Sequence, residues 1–74
     1  MKKYRVFKLL HNNFDGYLKT IDKKFISWVY YLNATNDNID HLTLKQAQKI
    51  VFKLNQDAKK TFSYYYRYGY EELP

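Results

Sequence analysis

The residues best suited to binding chemistry form an aromatic stretch, Phe62–Tyr70, near the end of this 74-residue chain. Read as a β-strand, the stretch places successive side chains on opposite faces. One face then carries the aromatic row Phe62, Tyr64, Tyr66, Tyr68 and Tyr70, and the other carries Ser63, Tyr65, Arg67 and Gly69. Aromatic rings beside cations stack on the bases of single-stranded nucleic acids, and Tyr with Arg is also typical of protein–protein hot spots.

The same row has a structural interpretation, as the wall of the core beneath a helix. We expect Phe62 and Tyr64 to be core residues. Tyr65 and Arg67, on the far side of the strand, are expected to be exposed. Tyr68 and Tyr70 are expected to extend beyond the cover of the helix, so the binding candidates in this stretch are Tyr65, Arg67, Tyr68 and Tyr70.

A second candidate surface is basic and helical. At 100° per residue, four lysines fall within a sector of about 80° with Phe52 and Gln56 beside it; these are Lys45, Lys49, Lys53 and Lys60. The sector could face an anion, either the phosphates of a nucleic acid or an acidic protein surface. The alternative is an ordinary solvated face in a Lys-rich chain.

Catalytic and metal-binding patterns are poorly represented. The only histidines are His11 and His41, each in a loop-like stretch, and no nucleophile motif accompanies them. The run Asn36–Asp40 resembles the start of a calcium loop but lacks the required Gly and the closing Glu. We therefore predict a non-enzymatic protein with no metal site and no cofactor.

Composition narrows the class of protein further. Thirteen Lys and Arg against seven acidic residues give a net charge of +6, which favours anionic partners but also lies within the range of ordinary solubility charge. The absence of cysteine excludes a disulfide framework, and no apolar run approaches the ~18 residues of a membrane span. We expect one domain, residues 1–74, in the cytoplasm and with no membrane partner.

The elements that would position these residues are read from periodicity. The first strand is Tyr4–Leu10. A turn follows at His11–Gly16, where Asp15-Gly16 is the strongest turn signal. Two further strands are separated by a polar connection, Asp22–Lys24, and the predicted ranges are Tyr17–Ile21 and Phe25–Leu32. The face of the third strand expected to meet the core carries Ile26, Trp28, Tyr30 and Leu32.

A polar surface loop, Asn33–His41, precedes the only helix. Thr43 and Gln46 match a capping box, with Leu42 placed for a hydrophobic staple. Helical spacing puts one apolar stripe on the helix: Leu44, Ala47, Ile50, Val51, Leu54 and Ala58. In the final strand Gly69 indicates a bulge or a close approach, and Glu71–Pro74 is expected to fray. The predicted fold is α+β: a small antiparallel sheet of three to four strands with one amphipathic helix on one face, in the order β-β-β-α-β.

This arrangement, with a hairpin reading Asp15-Gly16-Tyr17-Leu18-Lys19 and a helix with Thr43 and Ala47 at its start, resembles small accessory proteins of phages that infect low-GC Gram-positive bacteria. The resemblance implies a small intracellular inhibitor of host or defence machinery, of the anti-CRISPR type, that acts by stoichiometric binding. Many such inhibitors are acidic mimics of DNA. A chain of net charge +6 departs from that pattern, so occluding an acidic surface or binding nucleic acid fits better.

Three functional hypotheses follow. The leading one is a non-enzymatic inhibitor that binds a host or antiviral-defence protein, for instance one in a nucleic-acid-handling complex. The second is a nucleic-acid-binding module with lysines on phosphates and tyrosines on bases. The third is a structural homo-oligomer, such as a homodimer formed through unpaired strand edges.

Overall fold

The computed structural model describes the backbone of residues 2–22, 25–61 and 65–74, with the side chains of all of these except residues 20–22 and 25. The elements along the chain are β1 (Tyr4–Leu10), β2 (Asn13–Asp22), β3 (Phe25–Tyr30), a 3-10 turn (Tyr31–Asn33), α1 (Leu44–Lys60) and β4 (Tyr66–Glu72). The four strands form one antiparallel sheet in the order β3-β2-β1-β4. The predicted α+β fold and the element order are confirmed.

The first hairpin turns at His11 and Asn12. Both have positive φ, 52° and 67°, as a two-residue hairpin turn of type I′ requires, and His and Asn tolerate that region better than most residues. The predicted turn at Asp15-Gly16 is wrong. Gly16 lies inside β2 opposite Lys8, where an added Cβ would come within 2.7 Å of the carbonyl oxygen of Val29 in β3. This glycine therefore serves the close approach of two strands.

The core is small and lies under the helix. Val6, Leu18 and Ala47 are buried in it, and partly buried side chains pack against them from the sheet and from α1. The predicted capping box is confirmed, since the Thr43 side chain accepts from the Gln46 backbone N–H and the Gln46 side chain accepts from the Thr43 N–H. The apolar stripe of α1 contributes Ala47, Ile50, Val51 and Leu54 to this core.

The register and the alternation of side chains define two faces of the sheet. The face under α1, here called the helix face, carries Tyr4, Val6, Lys8, Leu10, Gly16, Leu18, Ile26, Trp28, Tyr30, Tyr66, Tyr68, Tyr70 and Glu72. The opposite face, here called the open face, carries Arg5, Phe7, Leu9, Phe14, Tyr17, Lys19, Ser27, Val29, Arg67, Gly69 and Glu71.

The third strand is shorter and less covered than predicted. It ends at Tyr30, and the chain continues as the 3-10 turn rather than as a strand to Leu32. Trp28 packs against the core as expected, but Ile26, Tyr30 and Leu32 are exposed. The reason is that α1 contacts β1 and β4, so the part of the helix face formed by β3 does not lie beneath the helix. Lys23 and Lys24 of the predicted connection lie outside the described residues.

The segment after the 3-10 turn is more than a surface loop. Ile39 is buried, and the Asp40 N–H donates to the carbonyl oxygen of Leu18 in β2. Leu42 exchanges two backbone hydrogen bonds with Tyr4 of β1, at 2.8 and 2.9 Å. The segment therefore fills the gap where β1 and β2 diverge, and the expectation of a purely polar surface loop over Asn33–His41 is wrong at its end.

The last strand begins and ends later than predicted. It starts at Tyr66, Tyr65 precedes it in a turn, and residues 62–64 lie outside the described part of the chain. The expected fraying of Glu71–Pro74 is wrong for its first three residues. Glu71 accepts a 2.7 Å hydrogen bond from Arg5 Nε, Glu72 is in the strand, and the Leu73 N–H donates to the carbonyl oxygen of Lys3. No helix among the described residues is long and apolar enough to cross a membrane.

Candidate binding surface on the open face of the sheet

Three aromatic rings form a continuous cluster at the centre of the open face. The ring centroids of Phe7 and Phe14 are 5.3 Å apart in an edge-on arrangement, and those of Phe14 and Tyr17 are 6.2 Å apart and stacked. Phe14 is 46% exposed, while Phe7 and Tyr17 are partly buried. The cluster spans the two central strands, β1 and β2, on the side of the sheet away from α1.

Two local features of the backbone place these rings together. The register between β1 and β2 shifts so that Lys8 pairs with Gly16 and Leu9 pairs with Phe14, which leaves Asp15 as the extra residue of a β-bulge. The bulge turns Phe14 to the same face as Phe7. On the β4 side of β1, the Phe7 ring lies over Gly69. A Cβ added at Gly69 would be only 2.5 Å from the Cζ atom of Phe7.

Three cations share the open face with this aromatic cluster. The Arg5 guanidinium lies 4.4 Å from the centroid of the Tyr17 ring and pairs with Glu71 at 2.7 Å. Burial raises the pKa of Tyr17 above its ordinary value of 10.0; nearby Arg5 opposes this rise, while Glu71 adds to it. Lys19 and Arg67 also lie on the open face and are exposed. Among the described side chains, the face therefore carries three cations and one acid, and that acid is already paired with Arg5.

This arrangement suits the binding of flat, anionic ligands. Exposed aromatic rings on a sheet offer a stacking surface, and neighbouring Lys and Arg attract phosphates. Phe14 offers the most accessible ring of the cluster, and Tyr17 adds a ring beside it. Arg67 on β4 and Lys19 on β2 supply positive charge on the same face.

The sequence-predicted site residues are distributed over several surfaces. Lys45, Lys49, Lys53 and Lys60 are all exposed on α1, and Phe52 beside them is 65% exposed. Arg67 is exposed on the open face. Tyr65 is exposed in the turn before β4, with its ring centroid 5.0 Å from that of His11.

Tyr68 and Tyr70 lie on the helix face instead. Tyr68 is partly buried, with its ring centroid 5.6 Å from that of Trp28. The pKa of Tyr68 is raised mainly by burial and to a smaller extent by the nearby Tyr66. The Tyr70 hydroxyl accepts a hydrogen bond from the Gln48 side chain of α1. Tyr68 therefore supports packing, while Tyr70 contacts α1 but stays exposed at 36%. The expectation that this end of the strand extends beyond the helix is wrong at Tyr70, because α1 reaches its hydroxyl.

Lys8 lies on the helix face directly opposite Tyr68 in the pairing of β1 with β4. Its Nζ lies 4.9 Å from the Trp28 ring centroid, 5.2 Å from the Tyr66 ring centroid and 3.1 Å from Asp15 Oδ2. The side chain is largely buried. This cation is compensated by its own surroundings and is not available to a partner.

The basic side of α1 and the open face lie on opposite sides of the sheet, because α1 packs on the helix face. The lysines of α1 and the rings of the open face therefore form two separate surfaces. The hypothesis that Lys45, Lys49 and Lys53 hold the phosphates of bases stacked on the same protein's tyrosines stays a prediction. These lysines do not share a side of the sheet with Phe14 and Tyr17, and the cations on the open face with those rings are Arg5, Lys19 and Arg67.

Sequence reasoning missed the aromatic cluster of the open face. The strong turn signal of Asp15-Gly16 predicts that Phe14 lies in a turn, so the sequence indicates no aromatic neighbour for Phe7 and Tyr17 at this place in the sheet. The available signal was His11-Asn12, a pair that tolerates positive φ and can form a two-residue turn. Pairing outward from that turn brings Phe14 next to the first strand.

The described residues contain no group of three His, Asp or Glu side chains arranged to hold a metal ion. Comparison of the chain with protein-family models, curated proteins and solved structures finds no match.

Proposed function

We propose that this is a non-enzymatic binding protein whose open face binds single-stranded nucleic acid. The observation that carries the proposal is the exposed ring of Phe14, stacked with Tyr17 on the sheet face opposite α1, which also carries the exposed cations Lys19 and Arg67. Nucleobases are flat and their phosphates are anionic, so one strand can satisfy both features of this surface.

The geometry favours a single strand over a duplex. Stacking on Phe14 requires the face of an unpaired base, which a duplex keeps within its own stack. The strand's phosphates would then run past the exposed cations of β2 and β4. Stacking of this kind tolerates any base, so we expect weak dependence on sequence.

Fluorescence anisotropy with a labelled oligonucleotide of about 10 nucleotides, within the usual range of site sizes, tests this proposal. Phe14→Ala removes the most exposed ring of the cluster. One lost base stack corresponds to ~1–3 kcal/mol, and 1.4 kcal/mol is tenfold in affinity. We therefore expect Phe14→Ala to weaken binding by about tenfold or more.

The matched control is Phe52→Ala. Phe52 is also an exposed phenylalanine, at 65%, but it lies on α1 and away from the open face. It should leave oligonucleotide affinity unchanged. Equal losses for the two variants, or wild-type protein that binds no oligonucleotide at low salt, would remove the proposal.

A second candidate function is stoichiometric inhibition of a host or antiviral-defence protein in the bacterial cytoplasm, as the phage resemblance implies. The observation that favours it is Phe52, which is exposed beside the lysine sector of α1 and lines a groove between α1 and β4 together with Tyr70. Exposed aromatic side chains are typical anchors of protein interfaces, and the neighbouring lysines would complement an acidic partner surface.

Plaque counts on a defended bacterial host test this second function. Production of the wild-type protein should raise the number of plaques, and Phe52→Ala should abolish the increase while leaving oligonucleotide binding intact. Phe14→Ala is the reciprocal control. No change in plaque number with the wild-type protein across several defended hosts would count against inhibition.

A further inference from the structure

The two edge strands of the sheet are protected very differently. At the β4 edge, the Asn55 side chain of α1 donates to the Tyr68 carbonyl oxygen at 3.2 Å and accepts from the Tyr68 N–H at 3.1 Å. One amide thus satisfies both backbone groups of an edge residue, as a neighbouring strand would. The helix runs alongside the same strand, so this edge is capped from within the molecule.

The β3 edge has outward-pointing backbone groups. The Leu18 carbonyl oxygen accepts from Asp40 on the β1 side and so points away from β3. Trp28, opposite Leu18, therefore belongs to a pair without mutual hydrogen bonds, and its own N–H and C=O point away from the sheet. Because the direction of the backbone groups alternates from residue to residue along a strand, the N–H and C=O groups of Ile26 and Tyr30 also point away from the sheet. Within the described part of the chain, these outward groups have no backbone partner.

The usual protections of a free edge are also missing from this strand. Residues 25–32 contain no charged residue and no proline, the devices by which natural edges avoid pairing. Large apolar side chains line the strand and the turn after it with exposures of 56%, 49%, 40% and 70%: Ile26, Tyr30, Tyr31 and Leu32. An edge with these properties is a template for another strand.

We propose that β3 pairs antiparallel with β3 of a second copy of this chain, to form a homodimer with a continuous eight-stranded sheet. A twofold axis at Trp28 gives the largest overlap. Ile26 then lies opposite the partner's Tyr30, and Ser27 lies opposite the partner's Val29. Such an interface is isologous, since the same segment serves on both sides.

The area sets the expected strength of the dimer. Aromatic side chains bury roughly 150–250 Å² each, and with that figure for all four residues their exposures correspond to about 300–550 Å² of side-chain surface per protomer. A standard stable interface buries ~800 Å² per partner. With the backbone hydrogen bonds of one short strand pair added, the dimer is expected at the weak end, with a micromolar dissociation constant.

Dimerisation through β3 goes beyond the proposed binding of nucleic acid, but it would change the surface that binds it. Pairing through β3 would place the two open faces side by side in one sheet and double the length of the surface that carries Lys19 and Arg67. The two can still fail separately, because the aromatic cluster lies on β1 and β2 and does not require a second copy.

Analytical ultracentrifugation of the wild-type protein and Tyr30→Pro tests the dimer. Tyr30 has φ −56° and ψ 137°, which suit proline, and its N–H points outward. The variant should therefore fold, as circular dichroism would show, while losing a donor at the edge. We expect the wild-type average mass to rise over the micromolar range and Tyr30→Pro to remain monomeric with oligonucleotide binding retained.

A cross-link checks the register. The double variant Ser27→Cys with Val29→Cys places thiols opposite the partner's thiols in a pair without hydrogen bonds, at ~4.5 Å between Cα atoms, within the disulfide range. It should form a covalent dimer rapidly, unlike Ser27→Cys alone. Wild-type protein that stays monomeric up to millimolar concentration, or Tyr30→Pro that associates as well as wild type, would overturn the proposal.

Discussion

A single missing methyl group at Gly69 shapes the open face. The Phe7 ring lies over this glycine, and an added Cβ would meet the ring at 2.5 Å. β1 and β4 pair in a continuous register around this position, with Gly69 directly opposite Phe7. The requirement for glycine here therefore comes from the neighbouring ring, since the position has no positive φ.

Gly69→Ala should destabilise the fold by about 1–3 kcal/mol, the usual cost of overpacking. Chemical denaturation measures the loss. The control is the same change in a Phe7→Leu background, where the smaller side chain relieves the contact. A double-mutant cycle should then show a coupling of at least ~0.5 kcal/mol, and simple additivity of the two changes would contradict the assigned contact.

Tyr68 gives the fold a dependence on alkaline pH. Burial, and then Tyr66, raise its pKa above the ordinary value of 10.0. Because the folded protein holds this proton more tightly than the unfolded chain, the contribution to stability is complete below pH 10 and falls as pH rises through the folded pKa.

Denaturation curves across that alkaline range should show a smaller fall in stability for Tyr68→Phe than for wild type. Phe52→Leu is the control, because Phe52 is exposed on α1 and the change removes no titratable group, so it should leave the alkaline slope unchanged. An unaltered slope in Tyr68→Phe would show that other groups cause the alkaline loss.

At the scale of elements, Asn55 links α1 to the edge of β4. Its side-chain amide makes two hydrogen bonds to the Tyr68 backbone. Asn55→Ala should cost about 1–3 kcal/mol, because each bond contributes ~0.5–1.5 kcal/mol. Thermal or chemical denaturation measures this, with Gln56→Ala, an exposed neighbour on the same helix, as the control.

The same variant has a second expected effect. Removal of the cap exposes the β4 edge, so Asn55→Ala should self-associate more than wild type even when Tyr30→Pro has blocked the β3 edge. A monomeric double variant would indicate that α1 itself keeps other strands away from β4.

Local signals in the sequence were sufficient for the helix and for the element order. Thr43 and Gln46 form the capping box that their spacing predicts, and the 3.6-residue period of the apolar stripe ends where α1 ends. These features depend on residues close together in the chain. The positions of β1 and of the start of β3 follow in the same way from apolar runs between polar turns.

The candidate site could not be predicted in this way because it depends on pairing between strands. A bulge at Asp15 decides which face Phe14 occupies, and the Asp15-Gly16 pair imitates a turn. Equally, the exposure of Ile26 and Tyr30 depends on where α1 lies across the sheet. Alternation within β3 identifies their shared face correctly but not which part of that face the helix covers.

At the scale of the whole molecule, one helix is too narrow to cover four strands. It covers β1 and β4, and the segment at Asp40–Leu42 fills the gap between β1 and β2. Within the described part of the chain, no helix packs over the open face or the outer side of β3, and these are the two surfaces proposed to bind nucleic acid and a second copy. With 74 residues the chain buries only a small core, so exposed aromatic surface is a direct consequence of its size.

The net charge of +6 makes salt a test of both surfaces at once. Binding of a single strand releases counterions, so the logarithm of affinity should fall with the logarithm of salt concentration by ~0.7 for each phosphate contacted. Dimerisation brings together two chains of the same charge through a strand that carries none. Added salt screens their repulsion and should strengthen the dimer.

Arg67→Ala and Lys53→Ala make the salt test specific. Arg67 is exposed on the open face and Lys53 is exposed on α1, so both variants lower the net charge by the same amount. Anisotropy titrations over a range of salt should show the slope reduced by ~0.7 in Arg67→Ala and unchanged in Lys53→Ala. Equal slopes in the two variants would mean that the whole charge of the protein, rather than the cations of the open face, attracts the nucleic acid. A reduction confined to Lys53→Ala would transfer the phosphate contacts to α1.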